Sequence, residues 1–117
     1  MAEEFLVSAR PDLQKARAEW LSALRNERRL AKNTLEAYER DTRQFFQFLT
    51  GHCGGAPGLV DVAELRPADL RSFLAWRRNA GAGARSLGRS LAGIRSFLKF
   101  LERRGLAVLD AGRWRRC

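Results

Sequence analysis

Apolar residues recur at helical spacing near the carboxyl end of the chain. Between Arg85 and Gly105 they are separated by steps of four, three, four and three residues. Because about 3.6 residues complete one helical turn, this spacing places all of them on one face of an α-helix. They are Leu87, Leu91, Ile94, Leu98 and Leu101. The pattern predicts an amphipathic helix over this stretch, with Gly105 as a suitable stop.

The opposite face of the predicted helix is basic. A turn of about 100° per residue brings four cations together on that face. They are Arg85, Arg89, Lys99 and Arg103, with Arg95 at the flank of the apolar side. Solvated helix faces usually mix the two signs of charge, whereas Glu102 is the one acidic residue of this stretch. The imbalance favours a surface that faces a ligand.

Three further helices are predicted upstream, and the pattern indicates no strand. Their approximate limits are Pro11 to Glu27, Asn33 to Thr50 and Pro67 to Ala80. Asn33 followed by Glu36 resembles a capping box. Regular helical spacing of the large apolar residues favours a packed core over stacking on bases. The predicted core includes Phe45, Phe46, Phe73, Trp76, Phe97 and Leu98.

Two turn-rich segments separate these helices. The stretch GHCGGAPG at 51–58 is a predicted loop, and NAGAGA at 79–84 interrupts the chain before the last helix. The loop lengths predict an all-α fold of four helices, arranged as two crossed helical hairpins. We expect a flexible amino terminus over residues 1–10, one domain over residues 11–107, and a basic tail or linker over residues 108–117.

Charge is strongly biased along the chain. Its 117 residues carry 22 Lys and Arg against 13 Asp and Glu, a formal net charge of +9. Residues 1–65 hold 9 basic and 10 acidic groups, whereas residues 66–117 hold 13 basic and 3 acidic groups, so the net charges are −1 and +10. Nineteen of the basic residues are Arg, which binds phosphate and guanine bidentately. This surplus argues for a polyanionic partner, first nucleic acid and second an anionic membrane.

Catalytic and metal-binding residues are scarce. His52 and Cys53 are adjacent in the Gly-rich loop, with no second pair of ligands at the spacing that a metal site needs. A nucleophile pair is also disfavoured, because neighbouring side chains in such a loop lack a fixed geometry. We therefore expect no metal, no cofactor and no small-molecule ligand, and a binding domain rather than an enzyme.

The cysteine content and the amino terminus indicate the compartment. Cys53 and Cys117 are too few for a disulfide framework, which favours a reducing cytosol. The amino terminus MAEEFLVSAR is acidic where a signal peptide is basic, and no apolar run approaches the roughly 18 to 20 residues that span a bilayer. These features predict a cytoplasmic protein without a membrane span.

Three sequence blocks resemble one family. They are ERRLAKNTLEAYERDTRQFFQFL at 27–49, DVAELRPADLRSFLAWRR at 61–78 and RSLGRSLAGIRSFLKFLERRG at 85–105. Together they are similar to the N-terminal core-binding domain of Xer-type tyrosine recombinases, and nearer to the XerC branch than to the XerD branch. The matching positions are Thr34, Tyr38, Asp41, Phe45, Phe48 and Leu49 in the second helix, and Ser86, Arg89, Leu91, Ile94, Arg95, Phe97, Phe100 and Leu101 in the fourth.

The resemblance implies a four-helix, SAM-like domain that clasps one face of a duplex recombination half-site. In that family a second, catalytic domain grips the opposite face and supplies the Arg, Lys and His residues and the Tyr nucleophile. No such set matches here, because Tyr38 belongs to the helical block NTLEAY. The chain therefore resembles the amino-terminal part of a recombinase, which acts with a partner recombinase in a tetrameric DNA synapse. The family resolves chromosome dimers before cell division.

Three positions depart from the family pattern. Gly88 and Gly93 interrupt the fourth helix where the family more often has Ala, at a cost of about 1 kcal/mol each. They either permit close approach of a neighbouring helix or of DNA backbone, or are simply tolerated. Arg66 precedes Pro67 where Ser or Thr is the more typical cap.

The start of the fourth helix carries the strongest candidates for DNA contact. Arg85, Ser86 and Arg89 lie in or beside a first turn whose free N–H groups and dipole favour phosphate. Arg at this position also reaches guanine edges in the major groove. The alternative role for Ser86 is a helix cap.

Two further candidates lie later in the fourth helix. Arg95 and Lys99 are expected to meet phosphate rather than bases. The alternative for both is an ordinary surface charge. For Arg95, an ion pair with Asp41 or Asp69 is a second alternative.

The start of the second helix supplies the remaining candidates. Lys32 and Thr34 are placed to touch phosphate, although Thr34 could serve as a cap instead. Tyr38 fits two interpretations equally well, a core aromatic with its hydroxyl at the surface or a hydrogen-bond donor to phosphate.

Two other functions stay open. A helical protein-interaction module would use the same basic face for an acidic partner, since fold alone does not fix function. A peripheral membrane-binding domain is the weaker alternative, because no helix has an apolar face wider than its core needs. Salt separates duplex binding from a protein interface, since affinity carried by phosphates falls with a log–log slope of about −0.9 per phosphate neutralised.

Overall fold

Five α-helices make up the part of the chain that the computed structural model describes, residues 8–107. They are α1 (Pro11–Asn26), α2 (Lys32–Cys53), α3 (Leu59–Ala63), α4 (Pro67–Asn79) and α5 (Ala84–Arg103). No strand occurs in these residues, which confirms the all-α prediction, and the four predicted helices correspond to α1, α2, α4 and α5. The predicted basic tail and most of the predicted flexible amino terminus lie outside the described residues.

Helix α3 is an addition to the predicted elements. The Asp61 carboxylate accepts a hydrogen bond from the Gly58 N–H at 2.7 Å, which caps the start of this single turn. Val62 points into the core and has no exposed surface. A helix of 5 residues is too short to show an apolar stripe of its own, so spacing alone does not reveal it.

Helix α2 begins and ends differently from its prediction. The Leu35 N–H donates to the Ala31 carbonyl at 3.0 Å, so the helical hydrogen bonds start before Asn33. The predicted capping box of Asn33 with Glu36 is therefore wrong, because Asn33 already lies inside the first turn. At the other end the helix runs on to Cys53, and Gly54 stops it in the left-handed conformation at φ 84°.

The residues before α1 pack against the loop that follows α2. Ala9 is buried, and the Arg10 N–H donates to the Pro57 carbonyl at 2.8 Å. The Gln14 side chain donates to the Ala9 carbonyl at 2.7 Å. Ala9 and Arg10, which we predicted as part of a flexible amino terminus, are therefore tied to the domain.

A cluster of aromatic rings fills the core. Five of its rings are almost completely buried: Trp20, Phe45, Phe46, Phe73 and Phe97. The Phe97 ring of α5 lies 5.2 Å from that of Trp20 and 5.8 Å from that of Phe46. These contacts join α1, α2 and α5 in one core, with α4 added through Phe73, whose ring lies 5.1 Å from that of Phe45.

Trp76 is the exception among the predicted core residues. It is 40% exposed and packs at the rim of the core, with its ring 5.6 Å from that of Phe48 and 6.1 Å from that of Phe73. The reason is helical geometry, because each step of three residues falls about 60° short of a full turn. Leu70 and Phe73 face the core, and two such steps carry Trp76 from Leu70 towards the surface.

Candidate nucleic-acid interface

Helices α2 and α5 meet at a glycine. Gly93 is buried, and a Cβ atom placed there would lie 2.9 Å from the Cδ1 atom of Tyr38. The missing side chain lets the Tyr38 ring lie directly against α5. The same ring stacks on Trp20 at 6.0 Å with the two planes 9° apart. Tyr38 is therefore a half-buried part of the packing between α1, α2 and α5.

A buried carboxylate links α2, α4 and α5, about one turn after Tyr38 along α2. Asp41 has no exposed surface. Its Oδ2 accepts a hydrogen bond from Arg89 Nε at 2.9 Å, and its Oδ1 accepts bonds from Arg89 Nη2 and Ser90 Oγ, each at 3.0 Å. Arg77 Nη1 lies 3.7 Å from the same Oδ1 and donates to Ser90 Oγ at 2.8 Å. We call Asp41, Arg77, Arg89 and Ser90 the Asp41 cluster.

Arg89, the strongest sequence candidate for DNA contact, belongs to this cluster. Its bidentate bond to Asp41 raises the pKa of the guanidinium, and partial burial opposes that shift. Its side chain is 32% exposed. Since a guanidinium has five N–H donors, the bidentate pair leaves three that Asp41 does not use. Arg89 is thus held by Asp41 through one edge of its guanidinium, while part of its side chain stays exposed.

The exposed side of α5 is basic, as the periodicity predicts. Arg85, Lys99 and Arg103 are exposed, and we call them the basic face of α5. At about 1.5 Å per residue, Arg85 and Lys99 lie about 21 Å apart along the helix. Ser86 is half-buried in the first turn. No side chain caps this helix, which begins after Gly83, so Ser86 does not have the alternative role of a cap.

The start of α2 holds two of the residues that the sequence predicts to contact phosphate, Lys32 and Thr34. Lys32 is exposed and is the first residue of the helix. Thr34 is half-buried, and its alternative role as a cap is not observed, because the hydrogen bonds of the helix already begin at Ala31.

Arg95 is half-buried on the flank of α5. Both carboxylates that the sequence suggested as its ion-pair partners are engaged by other residues. Asp41 binds Arg89 and Ser90, and Asp69 lies 2.9 Å from His52 Nε2. An ion pair of Arg95 with either carboxylate stays a prediction.

A buried arginine joins α1 to α2. Arg17 donates from Nε to Thr42 Oγ1 at 2.9 Å and from Nη2 to the Glu39 carbonyl and carboxylate at 2.8 and 3.0 Å. Burial lowers the pKa of Arg17, and the bond and charge of Glu39 oppose that shift. This arginine is engaged in packing, so it does not add to the exposed basic surface.

The sequence reasoning missed the Asp41 cluster and Arg17 as structural groups, although a signal was present. Arg17 interrupts an apolar stripe that includes Leu13 and Trp20. Asp41 likewise lies between Tyr38 and Phe45, at the spacing of a buried helix face. A charge at a position where helical spacing requires an apolar residue indicates a buried ion pair.

Two kinds of site are not found among residues 8–107. No group of three or more His, Cys, Asp or Glu side chains is placed to hold a metal ion there. Nor does any helix in that range have the length and apolar character needed to cross a bilayer.

Comparison with known proteins identifies the family to which this chain belongs. Residues 18–105, most of the chain, match the family described as phage integrase, N-terminal SAM-like domain. The chain belongs to this family, which confirms the SAM-like fold that the sequence resemblance implies.

The similar relatives are more specific, and they confirm the resemblance to Xer-type recombinases of the XerC branch. The tyrosine recombinase XerC of Mesorhizobium japonicum is 73% identical over 104 residues, which are 89% of this chain and 33% of that protein. The corresponding protein of Brucella suis biovar 1 is 67% identical over 103 residues, with coverages of 88% and 33%. That of Rhizobium meliloti is 60% identical over 107 residues, with coverages of 92% and 34%. The chain thus spans about a third of the length of these relatives, and no solved structure matches it.

Proposed function

We propose that this chain is the amino-terminal DNA-binding region of a XerC-type tyrosine recombinase and that it clasps one face of a duplex recombination half-site. The observation that carries the proposal is the basic face of α5, where Arg85, Lys99 and Arg103 are exposed on the side away from the core. Membership in the integrase family supports a DNA partner over other polyanions.

The dimensions of this face suit a duplex. Arg85 and Lys99 are about 21 Å apart along the helix axis, which corresponds to about six base pairs at 3.4 Å each. One turn of duplex DNA rises about 34 Å, so cations at this spacing would reach phosphates spread over a little more than half a turn. Such contacts fix the position of the protein on the duplex, whereas base contacts supply sequence preference.

The proposed contacts divide into two roles. Arg85, Ser86 and Arg89, in or next to the first turn of α5, are proposed to reach phosphate and guanine edges, where free helix N–H groups add to the attraction. Phosphate contacts are proposed for the other members of the set. These are Lys32, Thr34 and Tyr38 on α2, and Arg95 and Lys99 on α5.

Strand cleavage belongs to the remainder of the proposed recombinase. The catalytic Arg, Lys, His and Tyr would come from a second domain on the opposite face of the duplex, as the family resemblance implies. A partner recombinase in a tetrameric synapse, chromosome dimer resolution and a cytoplasmic location are parts of the same proposal. Tyr38 has no catalytic role in it, because its ring is packed against Trp20 and Gly93.

The proposal is tested by fluorescence anisotropy of a labelled duplex that carries a candidate half-site. The dissociation constant is measured between 50 and 200 mM salt, with a scrambled duplex as the control. If about six phosphates are neutralised, the affinity falls about 10³-fold over this range. We expect this steep dependence on both duplexes and tighter binding to the half-site.

The main alternative gives a different result in the same experiment. A protein-interaction module with a basic face would bind an acidic polypeptide with a shallow salt dependence, because part of its affinity comes from buried apolar area. Polyglutamate is therefore included as a competitor. No binding to either duplex at 50 mM salt, with the helical circular dichroism spectrum intact, would overturn the proposal.

A further inference from the structure

The Asp41 cluster contains two arginines that differ in their exposure. Both approach the same buried carboxylate, Arg77 from α4 and Arg89 from α5. The Arg77 side chain is 12% exposed, whereas the Arg89 side chain is 32% exposed. Arg77 lies 3.7 Å from Asp41, outside hydrogen-bond distance, while Arg89 makes a bidentate bond.

The geometry gives the two arginines separate tasks. Arg77 donates to Ser90 Oγ, which in turn donates to Asp41, so Arg77 completes the hydrogen bonding on the inner side. Arg89 uses one edge of its planar guanidinium for Asp41, which fixes the plane of the whole group. Asp41 leaves three of its N–H donors unused, and the side chain is 32% exposed.

We propose that Asp41 is a positioning residue, which holds the Arg89 guanidinium ready for a phosphate or guanine edge before DNA binds. This inference rests on the proposed DNA-binding function. A free arginine loses rotamer freedom when it docks, and a guanidinium that is already fixed avoids that loss. Asp41 has no exposed surface, so its effect on binding is carried through Arg89.

A single substitution separates the positioning role from simple electrostatics, because the two predict opposite changes in affinity for the half-site. Asp41→Asn removes one negative charge and raises the net charge of the chain by one. Electrostatics alone therefore predicts tighter binding to any duplex. Positioning predicts that Asp41→Asn binds the half-site about 3- to 10-fold more weakly than the original chain, while binding to a scrambled duplex is unchanged or stronger.

A matched pair of conservative variants provides the control. Arg89→Lys and Arg77→Lys both keep the charge and both disturb the Asp41 cluster, but only Arg89 is proposed to touch DNA. We expect Arg89→Lys to lower the preference for the half-site to the same degree as Asp41→Asn, and Arg77→Lys to leave it unchanged. Asp41→Asn placed in the Arg89→Lys background should cause no further loss of preference for the half-site, since both changes remove the same bond between Asp41 and Arg89.

A spectroscopic measurement reports on the arginine itself. The Nε–H of Arg89 is hydrogen-bonded to Asp41, so its signal in a proton–nitrogen NMR spectrum should exchange slowly with solvent before DNA is added. In Asp41→Asn the same signal should exchange faster while the backbone spectrum stays dispersed. Addition of half-site duplex should shift the Arg89 signal and leave that of Arg77 in place.

The outcomes distinguish this inference from the proposed function. If the original chain binds the half-site but Arg89→Lys and Asp41→Asn bind it equally well, the positioning role is wrong and the DNA-binding function stands. If Arg77→Lys loses as much preference as Arg89→Lys, the cluster acts through the fold alone and the inference is also wrong. If the original chain binds no duplex, the proposed function fails and the inference fails with it. Should Asp41→Asn fail to fold, the exchange rate of the Arg89 Nε–H in the original chain decides the question, because fast exchange before DNA is added would contradict a guanidinium held by Asp41.

Discussion

Two glycines in α5 occupy opposite environments, although the sequence alone gives no reason to separate them. A Cβ atom on Gly93 would meet the Tyr38 ring at 2.9 Å, within the range where a neighbour must move. A Cβ atom on Gly88 would meet no other atom within 4 Å. Gly93 is therefore required for the approach of α2 to α5, whereas Gly88 is tolerated in open space.

Alanine substitution at these glycines should have effects of opposite sign. Gly93→Ala forces the Tyr38 ring away from α5, and we expect it to lower the free energy of unfolding by about 1 to 3 kcal/mol. Gly88→Ala should raise that free energy by up to about 1 kcal/mol, because Ala favours the helix and nothing obstructs it. Urea unfolding followed by circular dichroism measures both. Equal stability of the two variants would show that Tyr38 has room to move.

The start of α4 shows how a helix is capped without a Ser or Thr at the cap position. The Asp69 carboxylate accepts a hydrogen bond from the Arg66 N–H at 2.8 Å and lies 2.9 Å from His52 Nε2. Burial raises the pKa of Asp69, but these two hydrogen bonds and the nearby charges of His52 and Arg66 outweigh it, so the net shift is downward. Asp69 thus replaces the missing cap and ties the end of α2 to α4.

This cap gives the stability of the domain a specific pH dependence. Because the folded pKa of Asp69 is lowered, its stabilisation is complete above the ordinary value of about 3.9 and is lost as the pH falls through the lower folded pKa. We expect Asp69→Asn to be less stable than the original chain by about 1 kcal/mol at pH 5. That difference should shrink as the pH falls to about 2. Thermal unfolding at several pH values is the measurement.

A second variant tests the division of labour at this cap. His52→Gln removes the imidazole contact from the α2 side but keeps the backbone bond from Arg66, so we expect a smaller loss of stability than in Asp69→Asn. A difference between Asp69→Asn and the original chain that is constant from pH 5 downwards would contradict the lowered pKa.

At the scale of elements, periodicity predicts the long helices and fails at short or interrupted ones. The apolar stripe of α5 was sufficient to predict that helix to within about two residues at each end, the usual scatter of helix limits. Helix α3 was not predicted, because a single helical turn is too short to show an apolar stripe. Trp76 was misplaced because a run of three-residue steps drifts around the helix. The spacing of apolar residues therefore predicts the limits of the long helices, but not which residues at the edge of an apolar face are buried.

At the scale of the whole molecule, the exposed cations were predictable and their partners were not. Charge imbalance and helical spacing are enough to place Arg85 and Lys99 on an outer face. The bond between Asp41 and Arg89 joins residues 48 positions apart, and spacing within one helix carries no information about it. The sequence therefore predicts a basic helix, whereas the orientation of Arg89 depends on the packing of α2 against α5.

The basic face should account for the salt dependence of DNA binding, one phosphate per cation. We expect Arg85→Ala and Lys99→Ala each to weaken binding to every duplex and to reduce the log–log salt slope by about 1. Arg25→Ala and Lys15→Ala are the matched controls, since each removes one exposed cation from α1. Equal changes in slope for all four variants would mean that net charge, rather than this face, sets the affinity.

We propose that DNA meets this chain along the outer side of α5 and the start of α2. An NMR titration of the isotope-labelled chain with half-site duplex tests it most directly, because every backbone amide reports separately on its surroundings. We expect shifts confined to the first two turns of α2 and to the outer side of α5 from Arg85 to Arg103, with α3 and the first turns of α1 unchanged. Shifts concentrated on α3 or on the first turns of α1, with α5 unaffected, would contradict it.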